Sequence, residues 1–232
     1  MKEFAIIVAG GKGTRMNSLT PKQFIPLNGL PILMHTVNAF FNYSKNIHLI
    51  LVLPEDDIPT WRDLCLKHNF DKPVAITAGG ESRFQSVKNG LDQITDAAGL
   101  VAIHDGVRPL ISADMIGASF RLAAIHKSAI AAVGLKESLR VTDQDTTKAV
   151  DRSNYRLIQT PQTFDLQMIK NAYKIKETAD LTDDASVAEK AGNKISLFEG
   201  SYENIKVTTP EDLVIAEALI KSKNTGSDYT LK

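Results

Sequence analysis

The chain has 232 residues, 43% hydrophobic and 23% charged, with 27 basic and 27 acidic side chains. That is the composition of an ordinary globular protein of one α/β domain or two small ones, with no global electrostatic footprint for nucleic acid or an anionic membrane. Its single cysteine, Cys65, excludes an internal disulfide and a multi-cysteine zinc site.

The elements read as follows from the N terminus. Phe4–Val8 is a short apolar run ended by glycine, the pattern of a buried parallel strand. A loop of Ala9, Gly10, Gly11 and Gly13 follows, then Arg15, then Pro21-Lys22-Gln23. Glycines let backbone N–H groups approach phosphate oxygens, and the two cations offset their charge, so a polyphosphate site is expected at the carboxyl end of this strand. The loop lacks the Gly-Lys-Ser/Thr of a P-loop, and Met16 stands where a dinucleotide fingerprint needs its third glycine. Further strands are expected at Ile47–Leu53, Val74–Thr77, Leu100–His104 and Ala129–Leu135, alternating with helices near Ile32–Phe41, Trp61–His68, Ser82–Ile94 and Ala113–His126. Pro31 suits a first helical turn. Repeated β-α units imply a mostly parallel sheet.

The pattern changes at Lys136–Tyr155, which is polar and rich in Thr and Asp, as in a hairpin or extended arm. Helices near Leu166–Lys176 and Asp183–Lys190, a strand at Lys194–Phe198 and a helix from Pro210 to about Ile220 complete the order. Lys221–Lys232 is polar and reads as a frayed end. No repeat or interdomain linker is visible, so residues 1–232 are expected to be one domain with 136–155 as a subelement. No apolar run approaches the roughly 20 residues of a membrane span, and no leader pattern precedes Phe4; cytoplasm is the default.

The motif Gly10-Gly11-Lys12-Gly13-Thr14-Arg15-Met16 with Pro21-Lys22-Gln23-Phe24 resembles the nucleotide-binding signature of pyrophosphorylase-type nucleotidyltransferases. Within that group it is most similar to the cytidylyltransferases that act on 2-C-methyl-D-erythritol 4-phosphate. Further matches keep the family's order: Gly79 to Arg83, His104 to Pro109, Val150 to Arg152, Gln159 to Gln162, Thr182 to Ser186 and Asn204 to Thr208. The resemblance implies a Rossmann-like, mostly parallel sheet flanked by helices, with a protruding β-arm that crosses a homodimer to complete the partner's site. It implies CTP and the sugar phosphate as substrates, with Mg²⁺ accompanying the triphosphate. A ribitol-5-phosphate cytidylyltransferase shares the loop, and a CTP-binding module without turnover is the non-enzymatic alternative.

The chemistry fits cations. A phosphate monoester has a second pKa of about 6, so the nucleophile is mostly dianionic near neutrality and needs no general base. The barrier lies in bringing anions together, which calls for Arg and Lys, not a catalytic His, Ser or Cys. Arg15 and Lys22 are the first candidates, with Lys206 near the reacting phosphate and Arg152 on the sugar phosphate, the last two by resemblance. Ala9, Gly10, Gly11, Gly13, Gly80, Glu81, Arg83, Ser86 and Asp105 are candidates for holding the nucleotide. Asp105 and Arg108 either serve substrate or form a local pair that fixes the loop. Ser138 stands where many relatives carry Thr in the arm. Thr160 either faces substrate or is a strand-end hydroxyl satisfied by backbone. The five histidines show no zinc spacing, and His104 is expected to be structural. Cys65 reads as a small hydrophobe on a helix. Asp183-Asp184 reads as a helix cap with a dipole complement, and the carboxylate that touches the metal is left open.

Overall fold

A computed structural model describes residues 1–10 and 20–225 of the chain. Gly11, Gly13, Arg15 and Met16, like the tail at 226–232, lie outside the described residues.

Seven strands form one sheet: β1 (Glu3–Val8), β4 (His48–Leu53), β5 (Val74–Ala78), β6 (Leu100–Asp105), β7 (Ser128–Gly134), β10 (Arg156–Asp165) and β11 (Leu197–Glu199). Their spatial order is β11-β7-β10-β6-β1-β4-β5. All are parallel to one another except β10, which runs antiparallel to both its neighbours, β6 and β7. Two short strands, β2 (Pro26–Leu27) and β3 (Leu30–Pro31), pair as a small hairpin after the first loop.

The central strands carry unbroken apolar runs, Phe4–Val8 in β1, Leu49–Leu53 in β4 and Leu100–Ile103 in β6, because both faces are covered. Ala5 and Ile7 of β1, Leu49 and Leu51 of β4 and Ala102 of β6 pack under α1 (Ile32–Tyr43), α2 (Asp57–Lys67) and α4 (Ala113–His126). The alternate residues Phe4, Ile6, Ile50, Val52, Val101 and Ile103 pack under α3 (Arg83–Asp92), α5 (Leu166–Ala172) and α6 (Asp184–Lys190). A third cluster joins Leu27, Ile32, Val107 and Leu110 to Val207 and to Ala216 of α7 (Pro210–Thr225), at the carboxyl end of the sheet.

The strands expected from the sequence are present to within a residue or so, apart from the shorter β11. Several helix bounds differ. Helix α2 starts a turn earlier than expected, because Pro59 falls in its first turn, where a missing N–H costs nothing. Pro31 closes β3 and caps α1 instead of starting it. Helix α5 stops at Ala172, and α7 continues through 221–225, which the sequence reading left as a frayed end.

Strand β10 is missing from the element order read off the sequence, where only the strand-end reading of Thr160 hints at it. Its core is Gln159-Thr160-Pro161-Gln162-Thr163, a polar run holding a proline, which argues against a central strand. The pairing with β7 shifts between Ile158 and Gln162, so Pro161 falls in the irregularity, where its missing N–H is tolerated. The expected hairpin is present as β8 (Leu139–Asp143) and β9 (Thr146–Val150), with Gln144 in the left-handed region at the turn. Its side chains are almost all exposed, so no core among the described residues holds it.

Gly90 lies where α3 crosses β1 and β4. A Cβ there would sit 2.7 Å from Ile6 Cγ2 and 3.1 Å from Val52 Cγ2. Ala in a helix interior normally gains about 1 kcal/mol over Gly, but overpacking a rigid core costs about 1–3 kcal/mol. Gly90→Ala is therefore expected to lower the urea midpoint, with a net loss of about 1 kcal/mol; an unchanged or raised midpoint would contradict this packing.

Candidate active site

Sheet order reverses at β1: the chain runs outward to β4 and β5, then returns to β6 on the other side. In open α/β sheets the crevice beyond the carboxyl ends of such strands is where ligands bind. A cavity of about 240 Å³ lies there. Its floor is Val8, Ala9 and Gly10 from the end of β1. Its walls carry Gly80, Glu81, Arg83 and Ser86 from the start of α3, Asp105 from the end of β6, and Lys22 and Lys206.

Lys22 opens a single 3₁₀ turn, Lys22–Phe24. The turn is pinned to α2 from behind: the buried Gln23 donates from Nε2 to Asp57 Oδ2 at 2.7 Å, and Phe24 stacks on Trp61 with ring centroids 6.4 Å apart. The α3 loop is held by its own helix. Ser82 is the N-cap and accepts from Gln85 N–H. Ser86 Oγ accepts from Gly80 N–H at 3.1 Å and donates to Ser82 O at 2.8 Å, and Glu81 N–H donates to Gln85 Oε1. A Cβ on Gly80 would lie 2.4 Å from Gln85 Cβ, so only glycine fits this turn.

Asp105 is the electrostatic centre. Its carboxylate lies 3.0 Å from Lys206 Nζ, 3.4 Å from Arg108 Nε and 3.9 Å from Arg83 Nε. Burial opposes its ionisation, but Lys206, Arg83 and Arg108 outweigh burial and hold the carboxyl well below the usual carboxylate range. Arg83 in turn is gripped by Asp184 through two parallel bonds of 2.9 and 2.7 Å. Burial alone would disfavour the Arg83 charge; Asp184 and then Asp105 reverse that and raise its pKa further.

Behind Asp105 the contacts are structural. Arg108 points away from the cavity wall: its Nη1 donates to Asn204 O at 2.7 Å, and burial lowers its pKa more than Asp105 raises it. Asn204 Nδ2 donates to Thr160 O, which ties the Lys206 segment to β10. Thr160 Oγ1 accepts from Asp105 N–H and bonds His104 Nδ1, both at 3.0 Å. His104 Nε2 faces Arg108 O at 3.3 Å; a carbonyl only accepts, so Nε2 carries the proton and Thr160 donates to Nδ1. Arg108 and Thr160 thus both hold Asp105, Arg108 through the carboxylate and Thr160 through the backbone N–H.

Arg152 and Ser138 do not line this cavity. Arg152 is exposed at the root of the arm and donates to Lys136 O. Among the described residues no three His, Cys, Asp or Glu side chains converge as a metal cage. Sequence reasoning missed Asp184: it assigned a cap role to Asp183-Asp184, and Asp183 does cap α6, but Asp184 turns inward to Arg83. Cys65 is half-buried against the α2 side of the core, where burial pushes its thiol pKa up.

A doubly wound sheet with a cation-lined cleft at its switch point defines a nucleotide-handling α/β enzyme. Residues 4–222 match the family model of 2-C-methyl-D-erythritol 4-phosphate cytidylyltransferase. The chain belongs to that family of nucleotidyltransferases. It is 47% identical over 220 residues to the Bacteroides thetaiotaomicron protein of that name, covering 95% of this chain and all of the relative. It is 46% identical to the one from Porphyromonas gingivalis, covering 95% and 99% of the two chains. Among solved structures, the 4-diphosphocytidyl-2C-methyl-D-erythritol synthase of Anaerococcus prevotii superposes with a TM-score of 0.81 at 29% identity, covering 95% and 96%.

Burial pushes the His104 pKa down from 6.5 to about 4, against the pull of Asp105. As pH falls through that window the unfolded chain binds a proton that the native chain refuses, so stability is lost on acidification. The loss approaches about 3 kcal/mol at the lower end. Asp105, with its depressed pKa, adds a loss of the same sign at still lower pH. Urea unfolding between pH 7 and 4.5 is expected to show a steeper pH dependence for the parent chain than for His104→Gln; equal slopes would contradict a buried neutral imidazole.

Proposed function

We propose that this chain transfers CMP from CTP to 2-C-methyl-D-erythritol 4-phosphate in non-mevalonate isoprenoid synthesis. An oxygen of the sugar phosphate attacks the α-phosphorus of CTP. The bond to the bridging oxygen of the β-phosphate breaks, and pyrophosphate leaves with that electron pair. The product is 4-diphosphocytidyl-2-C-methyl-D-erythritol. The observation that carries this reading is the switch-point cavity, where Lys22, Arg83 and Lys206 converge from three separate segments.

The residue roles follow from the chemistry. Lys22 and Lys206 act as point charges on the phosphates, where charge builds on the phosphoryl and leaving oxygens. Lys206, held in register by Asp105, stands ready to move to the incoming phosphate. Arg15 follows Gly10 by five positions in the sequence, and its bidentate fork suits the triphosphate. Gly80, Glu81, Arg83 and Ser86 form the wall assigned to the nucleoside side. Mg²⁺, as counter-ion of the triphosphate, would lower the repulsion between donor and acceptor. Asp105 and Glu81 are the carboxylates on the cavity wall, which suits an ion that keeps mostly phosphate and water ligands.

We assign the arm to a homodimer in which each chain lends Arg152 and Ser138 to its partner's cavity. The lack of any core under β8–β9 among the described residues supports this, as do the exposed Val141, Tyr155, Leu157, Ile158 and Tyr202 along and beside the arm. The described residues contain no helix long and apolar enough to cross a membrane, and we place the enzyme in the cytoplasm as one nucleotidyltransferase domain.

Purified protein with CTP, Mg²⁺ and the methylerythritol phosphate is expected to release pyrophosphate, with ribitol 5-phosphate a poor competitor. Lys22→Ala is expected to lower kcat by about 100-fold or more with an unchanged circular dichroism spectrum; near-normal turnover would refute its role. Arm exchange has its own test. Lys22→Ala and Arg152→Ala chains, each inactive alone, are expected to regain activity when refolded together, since one site of each mixed dimer is then intact. If Arg152 served its own chain, the mixture would stay inactive.

A further inference from the structure

We propose that Asp184 and Tyr173 are positioning residues for the transfer reaction: they clamp Arg83 in the orientation the nucleotide meets. This rests on the assignment of Arg83 to the nucleotide wall.

Asp184 is the first residue of α6 and has no exposed side-chain surface. Its Oδ1 accepts from Arg83 Nη1 and also from Tyr173 O–H at 2.6 Å, and its Oδ2 accepts from Arg83 Nη2. Tyr173 is itself buried, with its ring 4.7 Å from that of Phe84, the residue after Arg83. Burial and then the charge of Asp184 raise the phenol pKa far above its ordinary value, so the hydroxyl remains a donor. Helix α6 is fixed by β10: Gln162 Nε2 donates to Asp183 Oδ2 at 2.9 Å, and Gln162 Oε1 accepts from Ala185 N–H at 2.8 Å.

The placement decides how charge is shared in the cavity. Three cations, Arg83, Arg108 and Lys206, surround one carboxylate, Asp105. With Asp184 taking both terminal nitrogens of Arg83, only Arg83 Nε is left near Asp105, at 3.9 Å, while Lys206 holds the close contact at 3.0 Å. Without the Asp184 charge, Arg83 would compete for Asp105 and turn off the nucleotide wall. A bidentate pair whose carboxylate is fully buried is a costly way to anchor a helix, because desolvation of Asp184 consumes much of the attraction. Its placement directly behind a cavity-lining arginine gives it a use beyond anchoring.

Asp184→Asn keeps the shape and leaves the Asp183 cap untouched. At a temperature where circular dichroism shows full folding, kcat/KM for CTP is expected to fall about 10- to 100-fold, the scale of a misplaced binding group. The KM for the sugar phosphate is expected to stay near that of the parent. Tyr173→Phe removes only a hydroxyl and should give a smaller fall with the same pattern. In an Arg83→Gln background, Asp184→Asn is expected to cost little more, because its effect passes through Arg83. Unchanged CTP kinetics in the folded variants, equal losses for both substrates, or additive losses in the double variant would each overturn the proposal. If Asp184→Asn does not fold, Tyr173→Phe and its pairing with Arg83→Gln decide by the same criteria. An inactive parent chain would instead defeat the activity assignment.

Discussion

Everything at the carboxyl edge of the sheet is organised around one ionised carboxylate, Asp105. A buried carboxylate is costly unless positive charge and hydrogen bonds compensate it. Here the compensation comes from α3, from the turn after β6 and from the segment before α7. The same three contacts that make Asp105 tolerable bring Arg83 and Lys206 to one cavity. Site assembly and local stability are thus one electrostatic problem with one solution.

Strand β10 makes that solution rigid. It buries Gln159, Thr160, Gln162 and Thr163, and each finds a partner: Ser201, the Asp105 N–H, the α6 start and Ser119. Fully bonded buried polar groups specify a single arrangement, because any shift leaves donors and acceptors unmet. Through Gln159 and Thr160 the strand seats the Lys206 segment, and through Gln162 it seats α6 behind Arg83. The antiparallel insertion between β6 and β7 is therefore the frame on which the reactive edge hangs.

The chemistry asks little of the protein beyond this frame. Both reactants bring their own charges, the nucleophile arrives ionised, and no proton need be moved by a side chain. The roles proposed for Lys22, Arg83 and Lys206 would meet that demand with a cluster of cations on one cavity wall. His104 belongs to the mounting, as a neutral imidazole bridging Thr160 and the Arg108 carbonyl. Its burial removes it from acid–base work near neutral pH.

The sequence by itself determined the alternating β-α order, the apolar runs of the central strands, the hairpin at 139–150 and most of the residues that line the cavity. These are local signals: period, glycine spacing and chain-order motifs. Only the tertiary structure decided that Gln159–Thr163 is a central strand, because its polar side chains are made burial-worthy by partners far away in the chain. Only it separated Asp184 from its neighbour Asp183, since a cap and a buried counter-ion look alike in a string of letters. It also turned Arg108 and Thr160 inward, behind Asp105, while leaving Lys22 and Lys206 on the cavity wall. Which way a side chain faces depends on the charges that long-range contacts set beside it, and that information has no local spacing to read.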